Sequence, residues 1–130
     1  MNSGKIQVAV VDDDESFARA LGRLLRAAGC EITTYSSAEA FLVQTTVPKL
    51  DCLVIDIQLG SMSGLDLLRQ LRKTGNLTPV IFVTAHDAPE VREEAQQAGC
   101  VAYLRKPVPG RSLLEALGRA VDPGGTPTPS

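Results

Sequence analysis

Residues 50–64 read LDCLVIDIQLGSMSG. The apolar run Leu53-Val54-Ile55 delivers a single carboxylate, Asp56. A Gly/Ser loop follows, and a helix starts after Ser63 or Gly64. A short, continuous apolar run rich in β-branched residues suits a strand buried on both faces. Strands of that kind belong to parallel sheets, whose ligand chemistry gathers outside the strands' carboxyl ends. Asp56 stands at such an end, on a rigid strand and next to a loop crevice. The remaining sequence is best understood by what it brings to that aspartate.

The flanking segments repeat one pattern. Upstream, Ile6 to Val11 (IQVAVV) is a strand that runs into Asp12, Asp13 and Asp14. Asp14 is placed to cap a helix over 15–28, with Phe17, Leu21, Leu24, Leu25 and Ala28 on one apolar stripe and Gly29 as its stop. Glu31 to Tyr35 is the most polar strand and so an edge. Ser36, three residues before Glu39, predicts a capping box for a second helix of two to three turns, with Ala40, Phe41 and Val43 apolar and Pro48 ending the region. Downstream, Leu65, Leu67, Leu68 and Leu71 line the third helix and Gly75 closes it. Pro79 to Thr84 is a buried fourth strand. Asp87 is expected to cap a fourth helix carrying Pro89 in its first turn and only Val91, Ala95 and Ala98 as core candidates. So little to bury makes this the loosest helix. Val101 to Leu104 is the fifth strand, Arg105-Lys106-Pro107 follows, and Leu113, Leu114, Leu117 and Val121 mark a fifth helix. The segment DPGGTPTPS after it has the composition of a disordered tail.

Strict β-α alternation, five times over, predicts an α/β fold with a parallel sheet covered on both faces. The expected winding is the flavodoxin-like doubly wound order 2-1-3-4-5, with its switch point between the first and third strands. With 130 residues the chain is read as one domain over 1–121, followed by a flexible tail or the start of a linker at 122–130.

Composition narrows the function. Thirteen basic against 15 acidic side chains leave a net charge of −2, which speaks against nonspecific nucleic-acid binding. No apolar run reaches membrane-spanning length and the N-terminus has no signal-peptide core, so a cytoplasmic location is expected. Cys30, Cys52 and Cys100 are odd in number and widely spaced, and fit small buried hydrophobes better than a disulfide framework or zinc site.

On this topology Asp12 and Asp13 end the first strand, Asp56 the third and Thr84 the fourth, while Lys106 follows the fifth. Three carboxylates, a hydroxyl and an ammonium converge on one crevice. Two like charges about 4 Å apart repel by roughly 4 kcal/mol at an effective dielectric of 20. A hard divalent cation relieves that repulsion, and oxygen ligands select Mg²⁺ or Mn²⁺. A carboxylate can also act as the nucleophile and become an aspartyl-phosphate. Because phosphoryl transfer chiefly needs positioning and charge neutralisation, the set suits transfer onto Asp56.

The stretches VVDDDES, VIDIQLGSMSGLDLL, PVIFVTAHD and AYLRKPV, at these spacings, resemble the response-regulator receiver domains of two-component systems over residues 5 to 121. The resemblance implies that Asp56 accepts a phosphoryl group from the phosphohistidine of a sensor histidine kinase or phosphotransfer protein. It implies Mg²⁺ held by Asp13, Asp56 and the Gln58 backbone carbonyl, with Asp12 acting mainly through water. Lys106 would contact the phosphoryl group, Thr84 would move toward it, and Tyr103 would rotate inward as the aromatic switch. The outcome would be a reset face of fourth helix, fifth strand and fifth helix, which could also support a homodimer. A cis Lys106–Pro107 bond is implied as well. Where the family usually has Met-Pro, this chain has Leu59-Gly60, and glycine loosens the loop that presents the Gln58 carbonyl. In the domains it resembles, the positions of Gln58 and His86, two residues beyond Asp56 and Thr84, tune how fast water removes the phosphoryl group, and the same is implied here.

Two other classes stay open on the sequence. Asp12-Asp13-Asp14-Glu15-Ser16 fits the D-x-D-x-[ST] pattern of haloacid-dehalogenase-like phosphatases, with Asp12 as nucleophile, yet leaves Asp56, Thr84 and Lys106 unexplained. A pseudo-receiver that only binds partners would be compatible with Gly60. The motif wording leans toward receivers that precede LuxR-type DNA-binding domains, although no DNA-reading element lies within these residues.

Overall fold

The computed structural model describes residues 5–44 and 49–121. Its elements alternate as β1 (Ile6–Val11), α1 (Glu15–Ala27), β2 (Cys30–Tyr35), α2 (Ala38–Leu42), β3 (Cys52–Asp56), α3 (Gly64–Lys73), β4 (Val80–Thr84), α4 (Pro89–Gln97), β5 (Ala102–Arg105) and α5 (Gly110–Val121). All strand pairs are parallel, in the order β2-β1-β3-β4-β5. The polar strand β2 is an edge, and β3 and β4 are buried along their whole length.

The period-2 alternation of strand side chains divides the core into two layers. Val8, Val10, Cys52, Val54, Ile81 and Val83 face α1 and α5. Ala9, Val11, Leu53, Ile55, Val80 and Phe82 face the other way, against α2, α3 and α4. This parity carries through to the strand ends. Val10 pairs with Val54, so the next residues in step, Asp12 and Asp56, fall on the α1/α5 side. Thr84 continues the Val80–Phe82 series, and Tyr103, paired with Phe82, shares its layer. The site is therefore built across the end of the sheet, with acids toward one layer and the hydroxyl and phenol toward the other.

Several local expectations change. The N-cap of α2 is Ser37, whose extended backbone lets its hydroxyl accept from Ala40 N–H at 2.9 Å. Ser36 is exposed, and Glu39 reaches away from the cap to Ser61. The helix is also shorter than predicted, with Val43 exposed, and Pro48 and the segment 122–130 lie outside the described residues. Ala88, not Asp87, is the N-cap of α4 and, being alanine, has no side chain to make a capping bond; the Asp87 carboxylate is engaged by Arg92 instead. Pro89 does open that helix, and Ala95 is its one fully buried residue. On α1 the stripe holds at Leu21 and Leu25, while Ala28 is exposed beyond the helix end.

Candidate functional site

Asp14 caps α1 by accepting from Phe17 N–H, and its own N–H donates to Asp12 Oδ1 at 2.8 Å. This pair of turns fixes the first acidic cluster as the chain leaves β1. Asp56 is fixed the same way: Gln58 N–H donates to Asp56 Oδ1 at 2.9 Å. Behind it the loop closes tightly, with Gly64 N–H donating to the Ile57 carbonyl at 2.8 Å. A Cβ on Gly64 would fall on the Asp56 carbonyl oxygen, so only glycine lets α3 start this close to the end of β3. Gly60 adopts φ +56°, a left-handed conformation.

Lys106 directly follows β5, and the bond after it, Lys106–Pro107, is cis. Its Nζ lies 2.9 Å from Asp12 Oδ2 and 3.3 Å from Asp56 Oδ2. Carboxylate oxygens of Asp12, Asp13 and Asp56 approach within 4.8 Å of one another. An open crevice of about 660 Å³ gives access to Asp13 and Asp56, bordered also by Gln58, Gly60, Ala85 and Lys106. Burial pushes the Asp12 carboxyl up to about 6; the Asp14 N–H and Lys106 oppose this, while Asp56 adds to it. Burial depresses the Lys106 ammonium, but the hydrogen bonding and charge of Asp12 and Asp56 prevail and leave it raised.

These residues fit a hard divalent cation. The donors are all oxygens and carry an excess of negative charge. Asp12 is buried and its Oδ2 is engaged by Lys106 at 2.9 Å, while Asp13 is exposed and, with Asp56, borders the open crevice where a cation could reach it.

Thr84 is fully buried and its hydroxyl turns to its own loop, donating to the His86 carbonyl at 2.9 Å and accepting from His86 N–H at 3.1 Å. The side chains of Gln58 and His86 are exposed; Gln58 borders the crevice, and His86 follows Ala85, which does. Tyr103 is already turned inward, 8% exposed, with its hydroxyl buried and lacking a hydrogen-bond partner. Its inward position therefore coexists with a Thr84 hydroxyl still held by His86. Burial and then the Asp87 charge raise the Tyr103 phenol, against Arg92 and a weak approach of the Ala88 N–H that falls short of hydrogen-bond geometry.

Four contributors escaped the sequence reading. Phe17, assigned to the core stripe, lays its ring face against Lys106, with Nζ 4.3 Å from the centroid. In the sequence Gly64 marks only a helix start. Glu39 accepts from Ser61 Oγ at 2.6 Å and ties α2 to the loop after Asp56; that bond holds its carboxyl below the usual value. Arg92 grips Asp87 in two contacts and stacks its guanidinium 4.9 Å from the Tyr103 ring. Only Phe17 left a usable sign, because a residue in the first turn of a helix leaving β1 must lie near the strand ends.

A flavodoxin-like sheet with an acidic cluster and a lysine at its switch point defines a receiver-type domain. The model of the response regulator receiver domain matches residues 8–118, and the chain belongs to that family. It is 34% identical over 121 residues to the response regulator protein TmoT of Ectopseudomonas mendocina, covering 93% of this chain and 55% of that protein. It is 36% identical to Nodulation protein W of Bradyrhizobium diazoefficiens, covering 92% and 53%. The crystal structure of FixJ-N superposes with a TM-score of 0.82 at 33% identity, over 94% of this chain and 96% of that one. The chain thus spans about half the length of the curated relatives it matches. Among the described residues no helix is long and apolar enough to cross a membrane.

Proposed function

We propose that the chain is a phosphorylation-dependent switch whose phosphoacceptor is Asp56. The observation that carries this reading is the placement of the Asp56 carboxylate between Asp12, Asp13 and Lys106 at the sheet's switch point. An Asp56 oxygen attacks the phosphorus of a phosphohistidine on a sensor histidine kinase or phosphotransfer protein. The P–N bond breaks, and the imidazole leaves with the bonding electron pair and takes up a proton. Lys106 neutralises one equatorial oxygen of the transferred group. Asp12, Asp13, Asp56 and the Gln58 carbonyl would hold Mg²⁺, which supplies further neutralisation of developing charge when bound. Exposed Gln58 and His86 border the path by which water later reaches the phosphorus. The domain stores a state and turns over no substrate of its own.

Phosphorylation brings about −1.5 to −2 charges into the crevice. The Thr84 hydroxyl leaves His86 for the new oxygens, the β4–α4 loop follows, and the packing of Tyr103 against Arg92 and α4 is reset. Having one fully buried residue, α4 has little to hold it in either packing. The α4-β5-α5 face then presents the signal to an output partner or a second copy of the domain. Receiver function is assigned to 1–121, with 122–130 as tail or linker in a cytoplasmic regulator. The identity to transcriptional regulators such as FixJ of Azorhizobium caulinodans supports an output at promoters in a longer protein.

The test is intact mass after incubation with Mg²⁺ and acetyl phosphate, for wild type and Asp56→Asn. A single base-labile phosphoryl adduct on wild type alone is expected. No adduct with acetyl phosphate or with a panel of kinases would overturn the reading in favour of a binding-only receiver. An adduct that survives in Asp56→Asn and disappears in Asp12→Asn would move the nucleophile to Asp12.

A further inference from the structure

The Lys106 ammonium has an aromatic neighbour that carboxylate chemistry alone does not explain. Phe17 is half-buried, packs against the α1/α5 layer, and presents its ring face to Nζ at 4.3 Å. The ring is set in place by a short ladder. Phe17 N–H donates to Asp14 Oδ1 at 3.1 Å, and Asp14 N–H donates to Asp12 Oδ1 at 2.8 Å. The aromatic face is thereby registered to the same acidic cluster that Lys106 contacts.

We propose that Phe17 is a positioning residue that holds the Lys106 ammonium over Asp56 during phosphoryl transfer, a role that rests on the phosphoacceptor reading above. Lysine is a flexible point charge on a four-carbon stem and does not stay in one place without opposing contacts. Asp12 and Asp56 provide two, and Asp12 is the nearer. Both weaken when the reaction is about to occur. Carboxylates that share their oxygens with a cation attract the ammonium less, and an Asp56 oxygen bonded to phosphorus no longer carries its full charge. The quadrupole of the Phe17 ring changes in neither event, so it retains its attraction for a cation throughout. Apolar coverage also keeps water off one side of Nζ, which strengthens its interaction with the transferred oxygens.

The experiment combines rate and position. The rate of adduct formation on Asp56 with acetyl phosphate and Mg²⁺ is measured by intact mass for wild type, Phe17→Leu, Phe17→Tyr, Lys106→Ala and the double variant Phe17→Leu/Lys106→Ala. Leucine keeps apolar bulk and removes the ring face; tyrosine keeps the ring face. Phe17→Leu is expected to slow phosphorylation about fivefold, and Phe17→Tyr to stay within about twofold of wild type. In the Lys106→Ala background Phe17→Leu is expected to add nothing, since the residue acts through the missing ammonium. Independently of phosphorylation, the Lys106 side-chain methylene protons of the metal-free protein should be shifted upfield by the ring in wild type and Phe17→Tyr, and not in Phe17→Leu. A Phe17→Leu rate equal to wild type, or an equal slowing with and without Lys106, would overturn the proposal, as would the absence of any ring-induced shift in wild type. If wild type itself gains no phosphoryl group, the phosphoacceptor reading fails and takes this one with it. If wild type is phosphorylated and Phe17→Leu is unaffected, Phe17 alone is wrong.

Discussion

The Lys106 ammonium sits closer to Asp12, at 2.9 Å, than to Asp56, at 3.3 Å. Its nearer electrostatic partner is the buried acid at the end of β1, and Asp56 is its second. Together with the Asp14 N–H, the lysine opposes the burial that raises the Asp12 carboxyl, and it touches both carboxylates at once.

A pH dependence follows from Asp12. Burial lifts its carboxyl from an ordinary value of 3.8 to about 6 in the folded protein. Between those values the native state keeps a proton that the unfolded chain has lost, so stability falls as pH rises. The stabilising contribution is complete below about 3.8 and is lost as pH passes about 6. Denaturant midpoints of the metal-free protein should therefore lose the Asp12 contribution between pH 4 and 7, and Asp12→Asn should flatten that slope. Mg²⁺ affinity should move the opposite way, weakening as pH falls through about 6, because metal binding requires the ionised acid. A slope that persists unchanged in Asp12→Asn would assign it to another group.

Gly64 gives a second prediction. A methyl group there would fall on the Asp56 carbonyl oxygen and crowd the Ile55 side chain. Since both belong to the buried strand β3, neither can yield without moving Asp56. Gly64→Ala should cost about 1–3 kcal/mol of stability by overpacking, and should slow phosphorylation of whatever fraction folds. A denaturation midpoint within error of wild type would show that the start of α3 can slide.

The sheet was legible because strands buried on both faces leave continuous apolar runs, and because β-α alternation admits few windings. The acidic cluster, Asp56, Thr84 and Lys106 were legible for the same reason: each ends or follows a recognisable strand. What stayed hidden depends on side chains choosing among nearby partners. Asp87 had the spacing of a helix cap, but a guanidinium within reach offers two charge-assisted contacts where the cap offers one N–H. Ser36 and Ser37 are equivalent in sequence, and only the backbone angles leaving β2 decide between them. Phe17 belongs to an apolar stripe by periodicity and to Lys106 by geometry, since the first turn of α1 projects over the strand ends.

Tyr103 is turned inward with a hydroxyl that has no hydrogen-bond partner. A buried, unbonded hydroxyl costs free energy, and the ring's contact with Arg92 does not need it. Tyr103→Phe should raise stability by about 0.5–1 kcal/mol, read as a higher denaturant midpoint at unchanged slope. A loss of stability would mean that the hydroxyl finds a partner in solution, for example by turning outward.

Position 60 yields the least intuitive expectation. Related domains usually carry proline here, and restoring a family-typical residue commonly stabilises a protein. Here Gly60 has φ +56° and open space where a Cβ would stand. Proline fixes φ near −65°, so the loop would have to be rebuilt to receive it. That loop is held on both sides, by Ser61 donating to Glu39 and by Gln58 N–H donating to Asp56. Gly60→Ala should cost about 1 kcal/mol, the strain of a left-handed alanine. Gly60→Pro should cost more and should also weaken Mg²⁺ binding by disturbing the Gln58 carbonyl, as measured by calorimetric titration. Adding Glu39→Ala should lessen the penalty of proline, because it frees the loop to move. If Gly60→Pro instead stabilised the protein and tightened Mg²⁺, the left-handed turn would be one of two accessible loop conformations, not the one the site requires.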